Sequence, residues 1–141
     1  MQTVYSRSHH VSLGDTDSAR VIYFAAVFRW HEQSFSQWLA DRYVPLSQIL
    51  DSGFALPVVS CSAAYPAPLR QDNVVLLQSW TTAVGTSSFT FGTTVVSNGA
   101  VAVSVETTHV WVERGSDGAF SSAAFPSVLR NALTSVNESS R

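Results

Sequence analysis

The spacing of the apolar residues changes near Gly53, and this change predicts a helical part followed by a β-rich part. From Phe24 onward, apolar and aromatic residues recur at steps of three and four, which is typical of one face of an amphipathic helix. The residues on this face are Phe24, Val27, Phe28, His31, Phe35, Trp38 and Leu39. We expect a helix of about four turns, and a second short helix in "PLSQIL" after Pro45, ending near Gly53.

After Gly53 the chain contains four runs rich in β-branched and aromatic residues: "FALPVVSCSAAY", "NVVLLQSWTTAV", "SSFTFGTTVV" and "AVAVSVETTHVWVE". The Asn98-Gly99 pair predicts a two-residue hairpin turn between the last two runs. In the last run, strict alternation predicts one core face and one outer face. The predicted core face is Val101, Val103, Val105, Thr107, His109 and Trp111, and the predicted outer face is Ala102, Ser104, Glu106 and Thr108.

The remaining segments complete an α+β pattern. Residues 3–13 predict a strand before the long helix, "RGSDGAFSSAAFP" predicts a loop, and "SVLRNALTSV" predicts a short terminal helix. We expect a single domain over residues 1–141, with an antiparallel sheet of about five strands curled around the helix. Such a sheet has open edges that a second chain could extend, so we also expect an oligomer.

Composition removes several classes of function. Only 13% of the 141 residues are charged and the net charge is −2, so nucleic acid is not an expected partner. All eight cations are arginine, which excludes lysine Schiff-base chemistry and phosphate binding by a P-loop lysine. The single cysteine, Cys61, lies in an apolar run and predicts a buried, unreactive thiol.

The hydropathy pattern indicates the cellular compartment in which we expect the protein. The first fifteen residues contain no long apolar run, and no apolar run reaches the roughly 18 residues that a membrane span requires. We therefore expect a soluble protein of the cytoplasm without a membrane partner.

The stretch "GDTDSARVIYF", residues 14–24, carries the chemistry of the sequence. Asp15 and Asp17 stand just before the long helix, where capping or turn formation accounts for one carboxylate. Two carboxylates this close repel each other, so the second has another task. No nearby histidine, cysteine or further carboxylate completes a metal site, and we expect no metal and no cofactor. A carboxylate beside free helix N–H groups suits acyl transfer.

These residues, with the aromatic helix and "FALPVVSCSAAYPAPLRQDNVV", resemble the hotdog-fold acyl-CoA thioesterases of the 4-hydroxybenzoyl-CoA thioesterase family over nearly the whole chain. Within that family, "DTDSARVIYF", "WHEQSFSQWL" and "FALPVV" are most similar to the 1,4-dihydroxy-2-naphthoyl-CoA thioesterases of phylloquinone (vitamin K1) synthesis. The resemblance implies the hotdog fold, an acyl-CoA substrate and a homotetramer made of two dimers.

The resemblance also implies roles for individual residues. Asp17 matches the catalytic carboxylate, the backbone N–H of Phe24 matches the donor that polarises the thioester carbonyl, and Asp15 is then structural. The family usually has glycine where this chain has Arg20, and it often has a basic cluster for the CoA phosphates that is missing around "GTSSFTF". The candidates for holding those phosphates are Arg20, Arg70, Arg114 and Arg130.

Four residues around the start of the helix are candidate substrate-binding residues: Tyr23, Val27, His31 and Glu32. Glu32 is either a solvated helix residue or a pocket residue that binds an aromatic hydroxyl or orients a water. His31 is either a core histidine with satisfied hydrogen bonds or a site residue, and His109 is expected to be a core histidine.

Three functions remain open on the sequence alone. The first is hydrolysis of an aromatic acyl-CoA, with Asp17 as nucleophile or as general base. The second is hydrolysis of short or medium aliphatic acyl-CoA or acyl-carrier-protein thioesters. The third is a non-catalytic hotdog module that binds acyl thioesters, because a fold does not fix a function.

Overall fold

The computed structural model describes residues 2–135 and has the expected α+β architecture, with one long helix packed on an antiparallel sheet. The five strands of this sheet are β1 (Tyr5–His10), β3 (Val58–Ala64), β4 (Val74–Thr82), β5 (Ser88–Ser97) and β6 (Ala100–Val110), in the order β1-β4-β5-β6-β3. The helices are α1 (Ala26–Arg42), α2 (Leu46–Asp51) and α3 (Ser127–Thr134). A smaller sheet contains β2 (Phe54–Ala55), β7 (Val112–Arg114) and β8 (Phe120–Ser122), in the order β2-β7-β8.

Helix α1 buries most of the face that the periodicity predicts, but Trp30 and Ser34 are added to it, and Phe24 and Phe28 are not buried. Its buried residues are Val27, Trp30, His31, Ser34, Phe35, Trp38 and Leu39, so Trp30 belongs to the face although it was not expected there. The helix begins at Ala26, and Phe24 lies in the preceding loop with 63% of its surface exposed. The aromatic part of the face packs against Phe89 and Phe91 of β5, so the sheet covers this side of the helix.

The hairpin between β5 and β6 forms as predicted, but the alternation along β6 does not hold throughout. Asn98 and Gly99 have φ values of 51° and 77°, the left-handed pair that a two-residue hairpin requires. A register shift between Val95 and Val96 then inserts an extra residue into the pairing. Because of this bulge, Val101 is 43% exposed and Ala102 is 2% exposed, so the predicted facing of these two residues is wrong.

Two further expectations are corrected. The segment predicted as a loop from Arg114 onward contains strand β8, which pairs with β7. Cys61 is exposed, because β3 is the last strand of the sheet and its outer side has no neighbouring strand among residues 2–135. The prediction of a buried thiol is therefore wrong.

Membrane insertion by a helix finds no support in this fold. Within residues 2–135, no helix is both long enough and apolar enough to cross a membrane.

Candidate active site

The loop before α1 is folded tightly by its own backbone. Asp17 donates its N–H to the Val21 carbonyl at 3.0 Å, and Tyr23 donates its N–H to the Asp15 carbonyl at 2.7 Å. Arg20 closes the turn with a φ of 65°, a left-handed conformation that glycine adopts more readily. This conformation explains physically why glycine is the usual residue at that position in the family that the chain resembles.

Both carboxylate oxygens of Asp15 accept hydrogen bonds that hold this loop in place. Its Oδ2 atom accepts hydrogen bonds from the Ser12 N–H at 2.9 Å and from Nε2 of His9 at 3.1 Å, and its Oδ1 atom accepts the Trp30 indole N–H at 3.1 Å. Partial burial alone would raise the pKa of the Asp15 carboxyl, but these donors and the nearby His9 outweigh it and lower that pKa. The surroundings of Asp15 are therefore those of a structural residue.

Asp17 has very different surroundings. Its side chain is exposed, and its Oδ1 atom accepts only the backbone N–H of Ala19 at 2.8 Å. The second oxygen has no hydrogen-bond partner among residues 2–135. Asp17 therefore presents a free carboxylate oxygen from the loop that precedes α1.

The loop just before α1 leaves a backbone donor available. The N–H of Phe24 has no acceptor among residues 2–135, whereas the N–H groups of Tyr23 and Ala26 donate to carbonyls of the loop. Phe28 donates to Ala25, which tightens the first turn, and the hydroxyl of Tyr65 donates to the Phe24 carbonyl. The peptide groups on both sides of Phe24 are thus fixed while its N–H stays open to a ligand.

A cavity of about 220 Å³ lies between α1 and the β3–β6 side of the sheet. Its lining is Phe28, His31, Glu32 and Phe35 from α1, Val58 and Cys61 from β3, and Thr107 and His109 from β6. Val58 and Cys61 face the same cavity although they are three residues apart, because the pairing of β3 with β6 shifts register between Val58 and Ser60. The walls are mainly aromatic and apolar, which suits a flat acyl group.

The structure brings together only part of the predicted substrate-binding set. His31 and Glu32 line the cavity. Tyr23 is exposed and packs against the ring of Phe24 at 4.8 Å, and Val27 is 1% exposed within the core. Sequence reasoning did not assign Val58, Cys61 or Thr107 to a site, although the β6 alternation had placed Thr107 on the same face as His109.

Two histidines of the cavity wall are buried and fully hydrogen-bonded. His31 lies 2.7 Å from Thr93 and 2.8 Å from Thr107, and His109 lies 2.8 Å from Thr107. Burial, with a smaller effect of the neighbouring His109, lowers the pKa of His31 to about 4. Burial also lowers the pKa of His109, although its hydrogen bond to the Leu56 carbonyl acts in the opposite direction. Both imidazoles are neutral at pH 7.

The four arginines named as candidates for the CoA phosphates differ in the contacts that they already make. Val21 and Arg70 form an isolated backbone bridge, so Arg70 lies beside the Arg20 turn. Arg130 donates to the Gly85 carbonyl and stacks on Phe125, and Arg114 stacks on Phe120 at 5.1 Å. Arg20 lies in the loop, Arg70 is next to it through the bridge with Val21, and both are exposed, so they are better placed than Arg114 and Arg130 for a ligand at the loop. No group of three or more metal-ligating side chains occurs within residues 2–135.

Residues 11–133 match the model of the thioesterase-like superfamily. The 1,4-dihydroxy-2-naphthoyl-CoA hydrolase of Prochlorococcus marinus (strain NATL2A) is 30% identical over 108 residues, which cover 71% of this chain and 70% of that protein. The corresponding hydrolase of Synechocystis is 34% identical over 65 residues, 45% of this chain and 47% of that protein.

The solved structures show the same fold. A 1,4-dihydroxy-2-naphthoyl-CoA thioesterase from Synechocystis superposes with a TM-score of 0.83 at 23% identity, over 92% of this chain and 94% of that one. The 4-hydroxybenzoyl-CoA thioesterase of Pseudomonas sp. strain CBS-3 gives a TM-score of 0.78 at 15% identity, over 91% and 97% of the two chains. With the family match over residues 11–133 and the identity to the Prochlorococcus hydrolase, these findings establish that the chain belongs to the thioesterase-like superfamily of hotdog-fold enzymes.

Proposed function

We propose that the protein hydrolyses an aromatic acyl-CoA, namely 1,4-dihydroxy-2-naphthoyl-CoA, to 1,4-dihydroxy-2-naphthoate and CoA. One observation carries the proposal: the free carboxylate oxygen of Asp17 and the open N–H of Phe24 belong to the same tightly folded loop. The names of the similar hydrolases and the aromatic cavity support the choice of acyl group. In this proposal, residues 1–141 act as one domain, in the cytoplasm, in phylloquinone synthesis.

The chemistry needs only these groups and water. In one route, Asp17 attacks the thioester carbonyl, the C–S bond breaks, CoA leaves as its thiolate, and water hydrolyses the resulting anhydride. In the other route, Asp17 takes a proton from water as the hydroxide equivalent attacks the carbonyl and CoA leaves. In both routes the Phe24 N–H donates to the oxyanion that develops on the carbonyl oxygen.

The cavity accounts for recognition of the acyl group. A bicyclic aromatic ring would stack against Phe28 and Phe35 of the cavity. Tyr23 does not line the cavity, and its exposed ring beside Phe24 is proposed to contact the substrate outside it. Glu32 uses Oε1 to accept the Ser36 hydroxyl at 2.8 Å, which leaves Oε2 to accept a hydroxyl of the ring. Arg20 and Arg70, both exposed beside the loop, are the candidates for the CoA phosphates. Val27 would support Phe28 from within the core.

The assembly that we propose is a dimer joined along β3, two of which form a homotetramer. Strand β3 is exposed along almost its whole length and carries Val58, Val59 and Cys61 at the open edge of the sheet. Pairing with a second β3 would satisfy its free backbone groups and cover this apolar edge. Because β3 also lines the cavity, the second chain would complete the site.

Thiol release from a panel of acyl-CoAs tests the proposal. We expect 1,4-dihydroxy-2-naphthoyl-CoA and other hydroxylated aroyl-CoAs to be hydrolysed with the highest kcat/KM. Equal rates with hexanoyl-CoA and octanoyl-CoA would refute the aromatic assignment. Binding of acyl-CoA without release of thiol from any member of the panel would instead identify a non-catalytic acyl-thioester-binding protein.

A further inference from the structure

A continuous row of hydrogen bonds crosses the core beneath the cavity, and we call it the buried row. It runs through the side chains of Ser79, Thr93, His31, Thr107 and His109 and ends on the Leu56 carbonyl. The successive donor–acceptor distances are 2.9, 2.7, 2.8, 2.8 and 3.2 Å. All five side chains are buried, and together they connect α1 to β4, β5 and β6.

The last bond of the buried row fixes the tautomer of His109. A backbone carbonyl only accepts, so Nδ1 of His109 must carry the proton that points at Leu56. Both histidines are buried and neither bonds to a carboxylate, so each carries a single ring proton. Nε2 of His109 is therefore an acceptor, and it takes the hydroxyl proton of Thr107.

The same reasoning fixes every other proton in the row. Thr107 has already used its one hydroxyl proton, so Nε2 of His31 must donate to it. Nδ1 of His31 is then an acceptor and takes the hydroxyl proton of Thr93, which in turn accepts from Ser79. All five protons point the same way, from Ser79 toward Leu56.

This arrangement decides what the cavity can offer to a ligand. His31, Thr107 and His109 line the cavity, but every N–H and O–H that they have is already donated within the row. The Glu32 carboxylate only accepts, and the Cys61 thiol is a weak donor. The side chains of the cavity therefore offer a ligand one strong hydrogen-bond acceptor, the Glu32 carboxylate, and no strong hydrogen-bond donor.

We propose that Thr107 is a specificity-determining residue. Thr107 accepts the Nε2–H of His31 and donates its own hydroxyl to Nε2 of His109, so neither ring atom is free for a ligand. The site therefore accepts an acyl group whose ring carries hydrogen-bond donors and rejects one whose ring carries only acceptors. This inference rests on the proposed hydrolysis of an aromatic acyl-CoA, whose ring it requires to be hydroxylated.

Removing the Thr107 hydroxyl should change the selectivity in a defined direction. In Thr107→Val, the shape is nearly kept, but Nε2–H of His31 loses its acceptor and Nε2 of His109 loses its donor. An unpaired N–H is then available at the cavity and can serve a ring that carries only acceptors. The freed Nε2 of His109 adds an acceptor, but the wild-type cavity already has one in Glu32, so the new donor decides the direction of the change. Thr107→Ser keeps the hydroxyl and is the matched control.

The proton arrangement can be observed directly in the wild-type protein. In ¹⁵N spectra at pH 7, we expect His31 to carry its proton on Nε2 and His109 on Nδ1. The opposite tautomer at either ring, or a charged ring, would overturn the inference. This measurement needs neither substrate nor a variant that folds.

The selectivity of each protein is the ratio of its kcat/KM values for two substrates, and this ratio is compared between wild type and the variants. We compare kcat/KM for 1,4-dihydroxy-2-naphthoyl-CoA with that for the near-isosteric 1,4-difluoro compound, in wild type and in each variant. We expect the preference for the dihydroxy compound to fall about tenfold in Thr107→Val and to stay within about twofold in Thr107→Ser. An unchanged preference in Thr107→Val would overturn the inference, even if hydrolysis itself is confirmed.

Binding of the free acids separates this inference from the proposed function. Calorimetry with 1,4-dihydroxy-2-naphthoate and its difluoro analogue needs no turnover. If wild type releases no thiol but still prefers the dihydroxy acid, and Thr107→Val loses that preference, the proposed hydrolysis fails and the role of Thr107 is supported. Equal affinity of wild type for the two acids would overturn the role of Thr107.

Discussion

The indole N–H of Trp30 donates to the carboxylate of Asp15 at 3.1 Å, and this bond joins α1 to the loop that carries Asp17. His9 reinforces it, since its ring lies 4.4 Å from the Trp30 ring and donates to the same carboxylate. Asp15 thereby holds the loop against the helix, and Asp17 is left exposed with one free oxygen. The two carboxylates should respond to substitution in different ways.

Asp17→Asn should lower kcat by at least about 100-fold, because it removes the negative charge and keeps the shape of the side chain. The melting temperature should stay near that of wild type, since Asp17 is exposed. The matched control is Asp117→Asn, because Asp117 accepts the N–H of Ala119 at 3.0 Å in the same local pattern as Asp17 with Ala19. Near wild-type turnover in Asp17→Asn would remove Asp17 from the mechanism.

Asp15→Asn should act on stability. The amide can replace one carboxylate oxygen, but its NH₂ group then faces the donors of Ser12 and His9. We expect a loss of about 1–2 kcal/mol in the free energy of unfolding, measured in urea. A loss of turnover as deep as that of Asp17→Asn, with the urea midpoint unchanged, would reverse the roles of the two residues.

The buried imidazole of His31 should make the protein less stable in acid. Its pKa is about 4 in the folded protein, against 6.5 for a free histidine, so between these values the unfolded chain binds a proton that the folded chain does not. Stability should therefore fall as the pH drops from about 6.5 toward about 4, by about 3 kcal/mol from this group.

The pH effect is measured by urea unfolding of wild type and His31→Gln at several pH values. The dependence between pH 6.5 and 4.5 should be weaker in His31→Gln. Gly14→Ala changes no titratable group and meets nothing within 4 Å, so it is the control and should keep the wild-type dependence. An identical slope in His31→Gln and wild type would contradict the assignment to His31.

Gly92→Ala should destabilise the sheet. Gly92 lies opposite Trp80 in the β4–β5 pairing, and a Cβ atom at Gly92 would approach Cε2 of the Trp80 ring to 2.3 Å. The ring must move, which costs about 1–3 kcal/mol in a packed sheet. Gly14→Ala, where nothing lies within 4 Å, is the control for thermal unfolding. Equal melting temperatures for the two variants would show that the Trp80 ring adapts freely.

Val59→Lys should weaken the proposed dimer, because it places a charge on the exposed edge strand β3. Val59 is 60% exposed in the single chain, so the substitution should leave the fold intact. Sedimentation at micromolar concentration should show the wild type as a dimer or tetramer and Val59→Lys as a smaller species. Val74→Lys, at an exposed position of β4, is the control, and a fully active wild-type monomer would rule out the shared site.

The sequence by itself determined the parts of this protein that depend on local periodicity and turn chemistry. Apolar steps of three and four predicted α1, Asn98-Gly99 predicted the β5–β6 hairpin, and the motif around Asp17 indicated the family. These features need only neighbouring residues, because helix faces and tight turns are set by backbone geometry within a few positions.

The tertiary structure decided what depends on residues far apart in the chain. The bulge at Val95 reversed the facing of Val101, and the edge position of β3 exposed Cys61. Thr107 lies 76 positions after His31, and only the packing of α1 on β6 brings the two within 2.8 Å. Pairing register, strand order and buried hydrogen bonds arise from contacts between residues that are far apart in the chain. Periodicity predicts which face of an element is buried, but it does not predict which distant residue will pair or form a hydrogen bond with that face.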